Sequence, residues 1–224
     1  MLPAISGATD YMDTYYDNLA YSEYAEYDGY AESPPEWGFN YLSVTHDDML
    51  NGDGLRVVLW VSGCSHSCPG CQNAYSWDGS FGQLFTEETK DEIFSYLGKD
   101  YTQGITFSGG DPLFIYNREP LGRLAKEIKT VFPDKDLWVY TGYKLEYDIG
   151  NGFLLREVAP WKKESDVFSL GWLNLIDVLV DGPYMESVRR EDIARGCDPE
   201  WRGSSNQQII DIPASITAGE IIRR

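Results

Sequence analysis

The chain has 224 residues, a formal net charge of -18 and four cysteines. An acid excess of this size excludes a nucleic-acid backbone as partner, because such binding needs a basic footprint. No apolar run approaches the length of a membrane span and no basic-then-apolar signal opens the chain. The expected compartment is therefore the cytoplasm, where clustered cysteines serve metal or redox chemistry rather than disulfides.

The charge is unevenly spread. Residues 1–55 carry eleven acids and no Lys or Arg. Residues 1–38, rich in Tyr, Asp, Glu and Ala, read as an extended acidic arm that Ser33-Pro34-Pro35 closes. Residues 39–224 read as one domain. Arg56-Val57-Val58-Leu59-Trp60-Val61-Ser62 is an apolar run that predicts a buried first strand. It leads into Gly63-Cys64-Ser65-His66-Ser67-Cys68-Pro69-Gly70-Cys71, where three cysteines stand at C-x3-C-x2-C spacing.

A helix is predicted from Glu87 to Leu97, with Thr86 as N-cap, acids in its first turn and Gly98 as its stop. Gly104–Ser108 is a second strand, ending in Gly109-Gly110-Asp111-Pro112. Leu121, Leu124, Ala125, Ile128, Val131 and Phe132 then recur at helical spacing. Leu137–Tyr140 is a third strand running into Thr141-Gly142-Tyr143. Lys144–Trp172 is less regular and reads as a helix followed by an insertion. Leu175–Val180 and Gln207–Asp211 supply two more strands, with Asp181-Gly182-Pro183 after the former. Strands alternating with helices predict an α/β fold with a largely parallel sheet, whose ligands sit at the carboxyl ends of the strands. The cysteine loop and the three glycine turns should therefore share one end.

Thiolates suit zinc, copper(I) or iron–sulfur clusters. Structural zinc wants four protein ligands, typically two separated pairs. Here three thiols lie close together, while Cys197 is far away in a polar stretch and reads as a free thiol. His66 is a possible further ligand but reads as an exposed loop residue. Three thiolates on a cubane, with one iron left open, fit the pattern best.

The triad after a first strand, followed one unit later by Ser108-Gly109-Gly110-Asp111-Pro112, resembles the radical S-adenosylmethionine (SAM) superfamily. Further matches narrow the resemblance to the anaerobic ribonucleoside-triphosphate reductase-activating proteins. They are Gly82-Gln83-Leu84-Phe85-Thr86, Tyr140-Thr141-Gly142-Tyr143, Asp177 to Pro183 and Arg202-Gly203-Ser204-Ser205-Asn206-Gln207. The likeness runs from about Phe39 to Asp211. Within it, the stretch from about Gly150 to Trp172 is longer than usual for the family.

That resemblance implies a small, partial (β/α) barrel of mainly parallel strands. It implies one 4Fe-4S cluster on Cys64, Cys68 and Cys71, with SAM chelating the fourth iron. Gly109, Gly110 and Asp111 would meet the methionyl end of SAM, and Thr141 and Asp181 its carboxylate or ribose. The implied activity is that of an oxidoreductase, reductive cleavage of SAM to make a glycyl radical on the large anaerobic ribonucleoside-triphosphate reductase. A flavodoxin-like or ferredoxin-like protein would donate the electron. Arg202, Ser204, Ser205 and Asn206 read as a hydrogen-bonded loop or as ligand contacts. Two competing readings are a deazaguanine synthase-like radical SAM enzyme acting on a small molecule and a non-enzymatic zinc-binding or electron-carrying module.

Overall fold

A computed structural model describes residues 37–162 and 166–224. The acidic arm expected over residues 1–38 lies almost wholly outside them. In chain order the strands are β1 (Asn40–Asp48), β2 (Arg56–Val61), β3 (Gln83–Leu84), β4 (Gly104–Gly109) and β5 (Asp136–Tyr140). They continue as β6 (Lys144–Asp148), β7 (Gly152–Arg156), β8 (Val167–Phe168), β9 (Val178–Asp181) and β10 (Gln208–Asp211). The helices are α1 (Glu87–Leu97), α2 (Arg118–Val131), α3 (Glu186–Ala194) and α4 (Ile212–Ala218). None of the described helices is long and apolar enough to cross a membrane.

Seven strands form one sheet in the order β10-β9-β5-β4-β2-β1-β3. Its centre is parallel, β2 with β4, β4 with β5 and β5 with β9, whereas β1, β3 and β10 pair antiparallel at the edges. Among the described residues the sheet stays open and does not close into a barrel. The parallel register aligns Leu59, Phe107, Val139 and Leu179 in one row across four strands. Alternation sends these residues, with Val57, Val61, Ile105 and Leu137, to a single face. There they pack on Ile93 and Leu97 of α1 and on Leu121, Leu124 and Ile128 of α2. Each such side chain, fully buried, contributes about 1.5–3 kcal/mol.

The N-cap expectation holds at Thr86, whose side chain accepts from the Thr89 backbone N–H, with Glu87 and Glu88 in the first turn. The C-cap falls at Gly98. Two expectations need correcting, and two further features went unread. The described residues of Lys144–Trp172 hold no helix; they form a separate antiparallel sheet, β6-β7-β8. Its turn is made by Asp148, whose Oδ1 accepts from the N–H groups of Gly150 and Asn151, the carboxylate turn chemistry that a helical reading overlooks. The first strand of the sheet is β1 rather than Arg56–Val61, and its half-buried residues carry no apolar run to reveal it. The strand expected at Gln207–Asp211 is present as Gln208–Asp211, and it pairs antiparallel with β9 at the edge of the sheet. Helices α3 and α4 carry too few buried apolar residues to stand out in the sequence.

Candidate metal and cofactor centre

Parallel pairing sets the loops after β2, β4, β5 and β9 side by side, as expected. At the strand ends Val61 stands opposite Gly109 and Tyr140 opposite Val180. The cysteine loop is tied to the turn after β4 through the main chain: Gly110 N donates to Val61 O and Asp111 N to Gly63 O, both at 2.7 Å. Asn117 clasps the same junction, its amide donating to Ser62 O and Asp111 O. From the other side, Gly63 N donates to Ser76 O and Cys64 N to Trp77 O.

This close approach requires glycine. Gly109 has φ +107°, and a Cβ on Gly110 would press on Gly63 O and Ser76 O. The turn therefore meets the cysteine loop with backbone alone.

All three loop thiols are free, Cys68 buried and Cys64 and Cys71 half-buried. Burial, then the Asp111 carboxylate, pushes the Cys64 thiol far up; the N–H groups of His66 and Ser67 pull the other way. Burial likewise pushes Cys68 up to about 12, against the pull of the Tyr184 N–H and with the nearby Cys71 adding to the rise. Cys64 and Cys68 are thus poorly placed to ionise alone, and coordinated metal reverses that by deprotonating the thiols. Among the described residues no three His, Cys, Asp or Glu side chains converge on a point as the ligands of one ion do. A multi-iron cluster needs no such point, since each thiolate binds its own iron. The donor set fits a cluster.

Asp111 is 1% exposed. Its carboxylate accepts from Thr141 Oγ1 at 2.9 and 3.0 Å, from Gly142 N at 2.9 Å and from Leu113 N at 2.7 Å. Thr141 thus faces Asp111. Asp181 lies apart from this group: its Oδ2 accepts from Leu145 N, while Oδ1 is buried without a partner. Burial raises Asp181 to about 6, opposed by the N–H groups of Leu145 and Gln208 and by Lys144 and Arg223. With Lys144, Asn206 and Met185 it lines a cavity of about 170 Å³. Asn206 Oδ1 is also buried and unpartnered.

The 202–207 segment is a hydrogen-bonded loop: Ser204 Oγ accepts from Met185 N, Ser205 N donates to Asp192, and Asn206 Nδ2 donates to Pro183 O. Cys197 is exposed and free.

His66 corrects the reading of an exposed loop residue. It is 1% exposed, its Nδ1 is 2.7 Å from Glu157 Oε1 and its Nε2 is 2.6 Å from Asp111 Oδ2. The Nε2 contact lies off hydrogen-bonding alignment, so the attraction there is between charges. Burial alone would lower the imidazole; the carboxylates of Asp111 and then Glu157 overcome it and raise it to about 9. Sequence reasoning weighed His66 only as a possible ligand and missed Glu157 and the pairing, because the partners of His66 are 45 and 91 positions distant and no local pattern marks them.

Residues 50–210 match the family model described as a 4Fe-4S single cluster domain. The chain is also similar to proteins named anaerobic ribonucleoside-triphosphate reductase-activating protein. The one from Enterobacteria phage T4 is 39% identical over 170 residues, 76% of this chain and 92% of the relative. The Haemophilus influenzae relative is 39% identical, covering 76% and 96% of the two chains, and that of Escherichia coli K12 is 37% identical, covering 76% and 97%. The chain belongs to the anaerobic ribonucleoside-triphosphate reductase-activating protein family. Within this family member, the span matched to the iron–sulfur model contains the whole cysteine loop, the glycine turn, Thr141 and Asp181.

Proposed function

We propose that this protein activates the large anaerobic ribonucleoside-triphosphate reductase by generating a glycyl radical in it, using a 4Fe-4S cluster and SAM. One observation carries the reading: three free thiols sit on a loop hydrogen-bonded, backbone to backbone, to a two-glycine turn at the same end of a parallel sheet. Cys64, Cys68 and Cys71 would hold the cluster and leave one iron for SAM. When bound, the cluster supplies the electron for reductive cleavage of SAM, and the adenosyl radical so formed takes hydrogen from a glycine α-carbon of the reductase. An oxidoreductase of this kind needs an external donor, flavodoxin-like or ferredoxin-like, and the cytoplasm keeps its thiols reduced.

The chain's own residues bind and orient. Carbonyl oxygens of the Gly109-Gly110 turn can approach the SAM ammonium because no side chain intervenes. Asp111, committed to Thr141, Gly142 and Leu113, holds that turn's shape rather than reaching the ligand. Thr141 acts through Asp111. Asp181 and Asn206, each with one unpartnered side-chain oxygen, line one cavity beside Pro183 and Met185, and as acceptors they suit the two ribose hydroxyls. Tyr184, between those two residues, directs its N–H to the Cys68 sulfur, which puts the cavity next to the cluster loop.

The test is anaerobic reconstitution followed by iron and sulfide analysis, then incubation with dithionite, SAM and the reductase. Expected are about four irons and four sulfides per chain, SAM consumption, and a glycyl doublet on the reductase by electron paramagnetic resonance. Zinc without sulfide, SAM left intact, or no doublet would defeat the proposal.

A further inference from the structure

We propose that His66 is a positioning residue: it braces the cysteine loop against both the glycine turn and the small β6-β7-β8 sheet, fixing how the cluster faces SAM. The inference rests on the reading of the site given above.

Three elements distant in the chain meet at this imidazole. His66 lies midway between Cys64 and Cys68, so any displacement of it moves the segment carrying two thiols. One ring nitrogen pairs with Asp111 and the other with Glu157, and the side chains of all three are no more than 3% exposed. Asp111 cannot follow a moving ring: its N–H and C=O are bonded to Gly63 and Asn117, and both carboxylate oxygens hold main-chain N–H groups. Glu157 is equally constrained, as the residue directly after β7, with its N–H donating to Asp166 O at 2.8 Å. Lys162 stands 3.8 Å from its other oxygen.

The grip extends to the backbone. Trp161 Nε1 donates to His66 O at 2.7 Å, so the strap 157–161 holds both the ring and the carbonyl of His66. Tyr143 packs edge-on against the ring at 4.5 Å, and a Cβ on Gly142 would run into it. The imidazole is thus a wedge with no free edge. Two buried carboxylates converging on one ring are stable only while that ring stays between them. This ties the position of the cysteine loop to that of the glycine turn.

The full-length chain, with His66→Gln and Glu157→Gln, provides the test. Gln at 66 reaches one carboxylate at most; Gln at 157 keeps shape but loses charge. After reconstitution, both variants should retain wild-type iron content. Each should bind SAM at least tenfold more weakly and lose most of the SAM-induced change in the reduced cluster's paramagnetic resonance spectrum. The double variant should be no weaker than the worse single one, since the two residues act as one brace.

Unchanged SAM affinity and spectra in both single variants, or losses that multiply in the double variant, would overturn the inference. So would iron uptake lost in either variant, which would assign the triad to cluster retention instead. If His66→Gln fails to fold, Glu157→Gln decides alone. A second readout needs no cluster: iodoacetamide should alkylate Cys64 and Cys68 several-fold faster in cluster-free variants than in cluster-free wild type. Equal rates would sink the brace. A wild-type chain that takes up no iron would defeat only the proposed function, and the alkylation rates would still decide this inference.

Discussion

Two buried cations stand at opposite ends of the same sheet, and they are treated differently. At the amino end, Arg56 is fully buried on β2 and every nitrogen of its guanidinium has a partner. Nε donates to Thr106 Oγ1, Nη1 to Asp53 O, and Nη2 to Ile105 O and to Asp136 Oδ1 at 2.6 Å. The Thr106 hydroxyl passes the network on to Asn51 O. At the carboxyl end, His66 is as deeply buried, yet the loops at that end hold three free thiols and two unpartnered side-chain oxygens, on Asp181 and Asn206. The guanidinium's own hydrogen bonds are completed within the chain, and they serve stability. The carboxyl end leaves polar groups open, at a cost in stability that bound groups can offset.

The comparison is tested most strongly at the thiols. Cys68→Ser should abolish cluster uptake and reductase activation while leaving the fold intact by circular dichroism. A variant that keeps its iron would show that the open groups at this end are not the cluster's ligands. Next comes Arg56→Met, which strands Asp136 and Thr106. It should cost about 3–5 kcal/mol in chemical denaturation, the range for breaking a buried pair from one side. Iron content and SAM affinity should stay at wild-type values; a loss of either would erase the distinction between the two ends.

Asp181 gives a smaller, pH-dependent effect. Its carboxyl is raised by burial to about 6 from 3.8. Between roughly pH 4 and 6 the folded chain therefore keeps a proton that the unfolded chain has released, so this group's contribution to stability falls as pH rises through that window and levels off above it. A shift of about two units corresponds to about 3 kcal/mol at neutral pH. Asp181→Asn should remove that slope, seen by urea unfolding at pH 4.5 and 7; an unchanged slope would assign the pH dependence elsewhere. The smallest effect belongs to neither end. Thr86→Ala removes the cap of α1 and should cost about 0.5–1 kcal/mol, the low part of the capping range because its bond to Thr89 N is 3.4 Å long. A lowered melting temperature with unaltered iron content is the expected result, and a fall in iron content would contradict it.

Much of the fold was legible because its signals are local. Glu87–Leu97 announces itself through Thr86 and Gly98, and β2, β4 and β5 through short apolar runs. Strand β1 and the β6-β7-β8 sheet were not legible. Half-buried alternation in Asn40–Asp48 is weak, and the hairpin at Asp148 depends on which groups its carboxylate finds. In the site, the thiols and the glycine turn could be named from spacing and from strand order. The contact between Asp111 and Thr141 could not: both read as ligand contacts, and the structure shows the Thr141 hydroxyl donating to the Asp111 carboxylate.

The sequence alone determined the chemistry available: three soft donors within eight residues, glycines where backbone must approach backbone, and strand–helix alternation that brings the loops to one end. Cysteine spacing and backbone conformation are properties of adjacent residues, so they survive reading in one dimension. Only the tertiary structure decided what holds the cysteine loop in place. His66, Asp111 and Glu157 are brought together by separate strand ends, and a buried charge is stabilised by whatever lies beside it in space. The loop's candidate ligands could be read from eight consecutive residues, while the contacts around His66 required the assembled sheet.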